Sequence, residues 1–196
     1  MTEWERLQKG LIYNDFDEDL FNKRVEAKKL FKAYNKTEDD EIDLRNKIMQ
    51  SLFKSVGKNV WIEPDFRCEF GKNITIGDNV YINFGCIILD CADVTIGSNT
   101  LLGPNIGLYA ANHSTDATER INGGCYGKPI HIGNSVWLGG DVKVLAGVSI
   151  GDNSIIGAGS VVTKNIPSNV IAVGNPCKVI REITDKDKTE YSKRIR

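Results

Sequence analysis

The sequence predicts a parallel β-helix with a helical cap at its N-terminal end. Two observations carry this prediction. From about Val60 onward an aliphatic residue followed by a small or polar one recurs every six positions, and IGDN at 76, IGSN at 96, IGNS at 132 and IGDN at 150 mark successive coils. Before Val60 the apolar spacing is helical instead. A period of six is neither the helix period nor the strand period, so the chain reads as a repeat architecture.

The hexads run in order. Ile76-Gly77, Ile82-Asn83 and Ile88-Leu89 are followed, after a slip of two residues, by Ile96-Gly97, Leu102-Gly103 and Leu108. Ile132-Gly133, Leu138-Gly139, Val144, Ile150-Gly151, Ile156-Gly157 and Val162 then keep the frame. Each hexad supplies one short strand and one corner. The aliphatic residue points inward, and a small or β-branched residue four further on fills the corner: Val80, Cys86, Thr100, Ile106, Val136, Val142, Val148, Ser154 and Ser160. Gly, Asn and Asp stand where the backbone bends, because they tolerate unusual φ/ψ. Three hexads make a triangular coil of about 18 residues, and coils stack through backbone hydrogen bonds.

The cap comes first in the chain. Trp4, Leu7 and Leu11 fit one helix, and Asp17 is placed to cap a second one with Leu20, Phe21, Ala27, Leu30, Phe31 and Tyr34 on its apolar stripe. Thr37-Glu-Asp-Asp40 resembles a capping box for a third, which carries Ile48, Leu52 and Phe53. The expected division is a cap over 1–56, a β-helix over 57–180 with a loop at 111–129, and a tail over 181–196.

Composition excludes several classes. A net charge of −1 does not suggest a nucleic-acid or membrane-surface partner. No run of about 18 apolar residues exists to span a membrane. The N-terminal MTEWERLQKG lacks the apolar stretch of a signal peptide. Five cysteines without a CxxC suggest neither a zinc site nor a disulfide framework, and fit a reducing, cytoplasmic setting.

The hexad fails between Leu108 and Ile132. The two differ by 24 residues (132 − 108), a multiple of six, so the coil is expected to leave and resume at the same face. A long loop in a compact repeat is usually functional, and His113 stands at its point of exit. An imidazole there can take a proton from a hydroxyl near neutral pH, as a general base must. A solvated loop histidine is the competing reading. His131 lies inside a strand and reads as an exterior structural residue. Two histidines cannot build a three-histidine zinc site, and no metal is expected.

WIEPDFRCEFGKNITIGDNVYINFGCIILD, the loop histidine, GKPIHIGNSVWLGGDVKVLAGVSIGDNSIIGAGSVVTKNIP and VGNPCKVIREI, together with LIYNDFD in the cap, resemble the hexapeptide-repeat sugar O-acetyltransferases of the maltose and galactoside group. The resemblance implies that the β-helix is left-handed, a sense that periodicity cannot give. It implies acetyl-CoA as donor, a sugar as acceptor and a homotrimer with sites between subunits. His113 would deprotonate the sugar hydroxyl. Asp15, Asn83, Glu69 and Asp90 match acceptor-site positions. Gly140, Ala158, Thr163 and Lys164 match the pantetheine groove, and Lys178 and Arg181 match basic residues near the CoA phosphates. Galactoside-type members carry a second carboxylate at the position of Cys91 and a serine at that of Glu69, so the acceptor is the open point. A xenobiotic acceptor and a non-enzymatic β-helical scaffold are the competing readings.

Overall fold

The computed structural model describes residues 1–193, so residues 194–196 of the expected tail lie outside them. The hexads form a left-handed β-helix of three flat walls. The first wall stacks Ser55–Val56, Ile74–Ile76, Val94–Ile96, Ile130–Ile132 and Ser149–Ile150. The second stacks Trp61–Ile62, Tyr81–Ile82, Leu101–Leu102, Trp137–Leu138, Ile155–Ile156 and Val170–Val173, and the antiparallel Lys178–Glu182 closes its top. The third stacks Arg67–Cys68, Ile87–Leu89, Gly107–Tyr109, Lys143–Leu145 and Val161–Val162.

Register explains the packing. Ile76, Ile96, Ile132 and Ile150 are in line on the first wall, and Ile62, Ile82, Leu102, Leu138 and Ile156 on the second. All are buried, as are all nine corner residues named from the sequence. The bends lie where left-handed backbone is required: Asn79, Asn99, Ser135 and Asn153 turn one corner with φ between +54° and +58°.

The insertions all fall on one corner. From Cys68 to Ile76 and from Ile88 to Ile96 the step is eight residues instead of six, and both carry the chain from the third wall to the first. The long loop leaves at the same corner. It does not return to the face it left: Leu108 pairs with Ile88 on the third wall, while Ile132 pairs with Ile96 on the first. A multiple of six preserves inward orientation, and the wall is decided by which coil edge offers hydrogen bonds.

The cap packs across the first coils with α1 (Glu3–Gln8), α2 (Glu18–Tyr34) and α3 (Ile42–Leu52). Asp17 caps α2 by accepting from Leu20 N at 3.1 Å. The Thr37 box does not form. Thr37 donates to Tyr34 O at the end of α2, and α3 begins at Ile42 with Glu41 as an N-cap lacking a side-chain bond. Leu11 lies beyond α1, and Phe21 is 60% exposed instead of joining the stripe. Arg45 fastens the cap: its guanidinium donates to Ile62 O at 2.7 Å and to Tyr34 Oη at 3.0 Å, and it stacks 4.4 Å from the Trp61 ring. Strands Ser55–Val56 and Lys178–Glu182 run across or up to the boundaries read from sequence near 56 and 180. No helix among the described residues is long and apolar enough to cross a membrane.

Candidate active site

The loop is a folded hairpin. Ala111–His113 pairs antiparallel with Gly124–Gly127, and the connection holds the short α4 (Ala117–Ile121), capped by Asp116. Ser114 ties the bend together: its Oγ donates to Glu119 Oε2, and its carbonyl accepts from Arg120 Nη1 at 2.9 Å. The other edge of Gly124–Gly127 is taken by Tyr13–Asn14 of the cap. Cys125 thus has Tyr13 on one side and His113 on the other. Two strand spacings, about 10 Å, separate the cap strand from the histidine strand. The next cap residue, Asp15, bonds through its N–H to Gly123 O at 2.8 Å. The His113 side chain is exposed and has no hydrogen-bond partner among the described residues.

Arg24 of α2 joins Asp15 of the cap to Glu69 of the β-helix. Its guanidinium donates to Glu69 Oε1 at 2.5 Å, to Asp15 O at 3.0 Å and to Asp15 Oδ1. It also lies 5.1 Å from the Phe70 ring. Its side chain is only 12% exposed, and the two carboxylates raise its already high proton affinity against the opposing cost of burial. Asp15 Oδ2 and Glu69 Oε2 have no partner among the described residues. An open pocket of about 530 Å³ lies over this group, with Phe16 and Phe21 on its rim.

Asp90 is not available to a ligand. Its carboxylate has no exposed surface and accepts from Glu69 N, Phe70 N and Asn73 N at 2.8–3.2 Å. Burial pushes its pKa up to about 6 against those amide donors. The reading of Asp90 as a sugar contact is therefore corrected: it braces the inserted corner that carries Glu69.

The residues expected at the pantetheine groove lie elsewhere, and Asn83, expected at the acceptor site, lies with them. Asn83, Gly140 and Ala158 all lie at the corner leading from the second wall to the third, Asn83 directly after its strand and Gly140 and Ala158 in line with each other one residue further on. Asn83 Oδ1 accepts from Phe84 N at 2.8 Å, which leaves its amide hydrogens free to donate. Ala158 and Gly159 are exposed, and nothing stands within 4 Å of a Cβ built on Gly159. That open, small-residue surface fits a slender thioester arm. Thr163 and Lys164 are exposed one corner on, and Lys178 is exposed on the closing strand. Arg181 is not a free cation: it holds Asp187 through two bonds of 2.6 and 2.9 Å, and the pair pulls the Asp187 carboxyl well below its ordinary range. No hydrogen bond joins Asn83 to His113, and their corners differ.

Comparison with known proteins gives a consistent result. Residues 6–57 match the maltose acetyltransferase hexapeptide capping motif, and residues 129–164 match the bacterial transferase hexapeptide model of six repeats. Galactoside O-acetyltransferase of Escherichia coli K12 is 46% identical over 193 residues, covering 98% of this chain and 95% of that protein. The chain belongs to the hexapeptide-repeat acetyltransferases. A maltose O-acetyltransferase structure from Clostridium difficile 630 superposes with a TM-score of 0.91 at 47% identity, over 94% of this chain and 99% of that one. A galactoside acetyltransferase solved with coenzyme A gives 0.91 at 46%, covering 97% of this chain and 96% of that one.

Three residues of this hexapeptide acetyltransferase escaped the sequence reading. Arg24 is one of several basic residues outside the apolar stripe of α2 and carries no motif. Tyr13 and Cys125 had no visible relation, because 112 residues separate them. The one available signal was LIYN itself, an apolar run too short for a helix and placed between two helices. The five cysteines also seemed unclustered, whereas Cys91 and Cys125 share a small buried cluster with Leu7, Tyr13, Leu20 and Phe70. No group of three or more metal-ligating side chains occurs among the described residues.

Proposed function

We propose that this protein transfers the acetyl group of acetyl-CoA to a hydroxyl of a sugar, by direct attack, with His113 as general base. The carrying observation is the three-stranded sheet that holds an exposed, unpartnered His113 one strand removed from the cap strand leading into the Asp15–Arg24–Glu69 group. Two free carboxylate oxygens held by one guanidinium suit adjacent sugar hydroxyls, which donate to them. His113 takes the proton of the acceptor hydroxyl as that oxygen attacks the thioester carbonyl. The tetrahedral intermediate collapses, the carbon–sulfur bond breaks, and the CoA thiolate leaves with the proton His113 returns. The Asn83 amide is a suitable donor for the transient oxyanion. Gly140, Ala158 and Thr163 would line the pantetheine path, with Lys164 and Lys178 toward the phosphates. Arg181 would join them only by exchanging Asp187.

The separation of Asn83 from His113 within one chain supports a homotrimer whose sites lie between subunits. So does the outward row Trp61, Tyr81, Leu101, Trp137, Ile155 and Ile171 on the second wall, an apolar stripe one residue wide along the β-helix. We assign residues 1–56 to a cap that contributes Asp15 and Arg24 to acceptor recognition, 57–180 to the β-helix that carries Glu69, the His113 loop and the donor groove, and the protein to the cytoplasm. Phe16 and Phe21, 70% and 60% exposed at the pocket rim, favour acceptors that carry an apolar substituent.

Thiol release from acetyl-CoA, measured with free glucose and maltose, aryl and alkyl glucosides and galactosides, and a hydroxylated antibiotic, tests this reading. His113→Ala loses ~10²–10⁴-fold in kcat on the best acceptor. Arg24→Met raises the acceptor KM and leaves that of acetyl-CoA in place, and Lys178→Ala does the reverse. Full activity in the His113 variant, or an antibiotic as best acceptor, overturns the corresponding part.

A further inference from the structure

Cys91 and Cys125 are two thiols that no step of the transfer uses. They are 4% and 2% exposed, and all five cysteines are free. Cys125 belongs to the strand flanked by Tyr13 and His113. A Cβ on Gly127 would fall 2.1 Å from Cys91 O and 2.8 Å from Ala92 Cβ. Residues two apart on a strand face the same way, so Cys125 points at the wall where Cys91 sits. Both belong to one buried cluster with Tyr13, and Cys125 Sγ donates to Tyr13 Oη at 3.1 Å. Cys68, Cys86 and Cys177 lie apart, in the β-helix core. The pair shares its protons unevenly. The neighbouring Cys91 thiol pulls the Cys125 thiol below its ordinary value, and Cys125 in turn pushes Cys91 up. One sulfur is set up as nucleophile and its neighbour as the thiol that resolves the product.

We propose that Cys91 and Cys125 form an oxidant-sensitive dithiol site, closed to a disulfide by a small peroxide, that ties the His113 hairpin to the β-helix wall. The Cys125 thiolate attacks one peroxide oxygen, the O–O bond breaks, and the departing hydroxide takes up the proton that the Cys125 thiol released, leaving a Cys125 sulfenic acid and one water. The Cys91 sulfur then attacks that sulfur, and the S–O bond breaks. The hydroxyl leaves as a second water with the Cys91 proton, and the S–S bond forms. Two thiols lose two electrons and two protons, and hydrogen peroxide becomes two waters. The near-complete burial of both sulfurs selects a water-sized oxidant. Tightening this contact displaces Cys125, whose ladder partner is His113, so acetyl transfer falls. That consequence rests on His113 being the base.

The whole protein is treated with hydrogen peroxide, alkylated and digested without reduction. Free thiols are expected to fall from five to three, with a peptide joining Cys91 to Cys125 and a mass lower by two hydrogens. A different pairing, or cysteines oxidised singly with no linked peptide, overturns the site whether or not any sugar is acetylated. Activity is then compared before and after treatment. Wild type loses roughly tenfold or more, as misplacement of a base predicts, and dithiothreitol restores it. Cys125→Ser and Cys91→Ala, each normalised to its own untreated rate, lose the response. A linked peptide with unchanged activity refutes the coupling to His113, and a response that survives in both variants refutes the pair.

Discussion

Asp90 carries a carboxylate with no exposed surface, and three backbone amides face it. In the folded chain it takes up a proton near pH 6, against 3.8 for the free side chain. The folded state therefore binds this proton more tightly. Asp90's contribution to stability is complete below about pH 4 and is lost as pH rises through 6. About two pH units correspond to roughly 3 kcal/mol. Asp90→Asn cannot titrate, so wild type should gain about that amount of unfolding free energy over the variant as pH falls from 7 to 4. Urea unfolding at both pH values checks this, and a gap independent of pH contradicts it. Asp90 and Asp15 read alike in the sequence, as acidic residues at matching positions. Only the fold separates them, because the amides that enclose Asp90 come from the preceding coil.

At the scale of the element, the corners hold a ladder that the sequence spells out and breaks once. Asn59 donates to Asn79 and Asn79 to Asn99, each at 3.0 Å, and Asn153 donates to Asn169 at 2.7 Å. Ser135 occupies the same left-handed corner between Asn99 and Asn153, with φ +55°, and cannot bridge them. Asparagine accepts that conformation more readily than serine. Ser135→Asn should therefore stabilise the chain by about 1 kcal/mol, one hydrogen bond's net contribution, and raise Tm by roughly 2–4 °C. Differential scanning calorimetry tests it, and an unchanged or lower Tm counts against the ladder. The IGNS run at 132 already displays the exception among IGDN and IGSN, so this element was legible. The hairpin was less so. Its strands, Ala111–His113 and Gly124–Gly127, are short and polar, and their pairing with Tyr13–Asn14 depends on an edge offered by a distant part of the chain.

For the whole molecule, the proposed trimer rests on the difference between two walls. The first wall turns Thr75, Thr95, His131 and Ser149 outward, whereas the second turns Tyr81, Leu101, Trp137 and Ile155 outward. Leu101 and Trp137 are 49% and 51% exposed in the single chain. Burying such side chains between copies is favourable by about 1.5–3 kcal/mol each. Leu101→Glu with Trp137→Glu should yield monomers in sedimentation velocity with the β-helix retained by circular dichroism, and activity should fall with the trimer. A trimer that survives both substitutions places the interface on another wall. The sequence by itself determined the three-walled β-helix, its inward residues and its exposed histidine, because period, corner chemistry and side-chain size are local properties repeated many times. Tertiary structure alone decided that the insertions stack at one corner, that the cap lends a strand to the histidine hairpin, and that Arg24 joins Asp15 to Glu69. Those contacts join residues that no period relates, and each exists only once the coils and the cap are packed together.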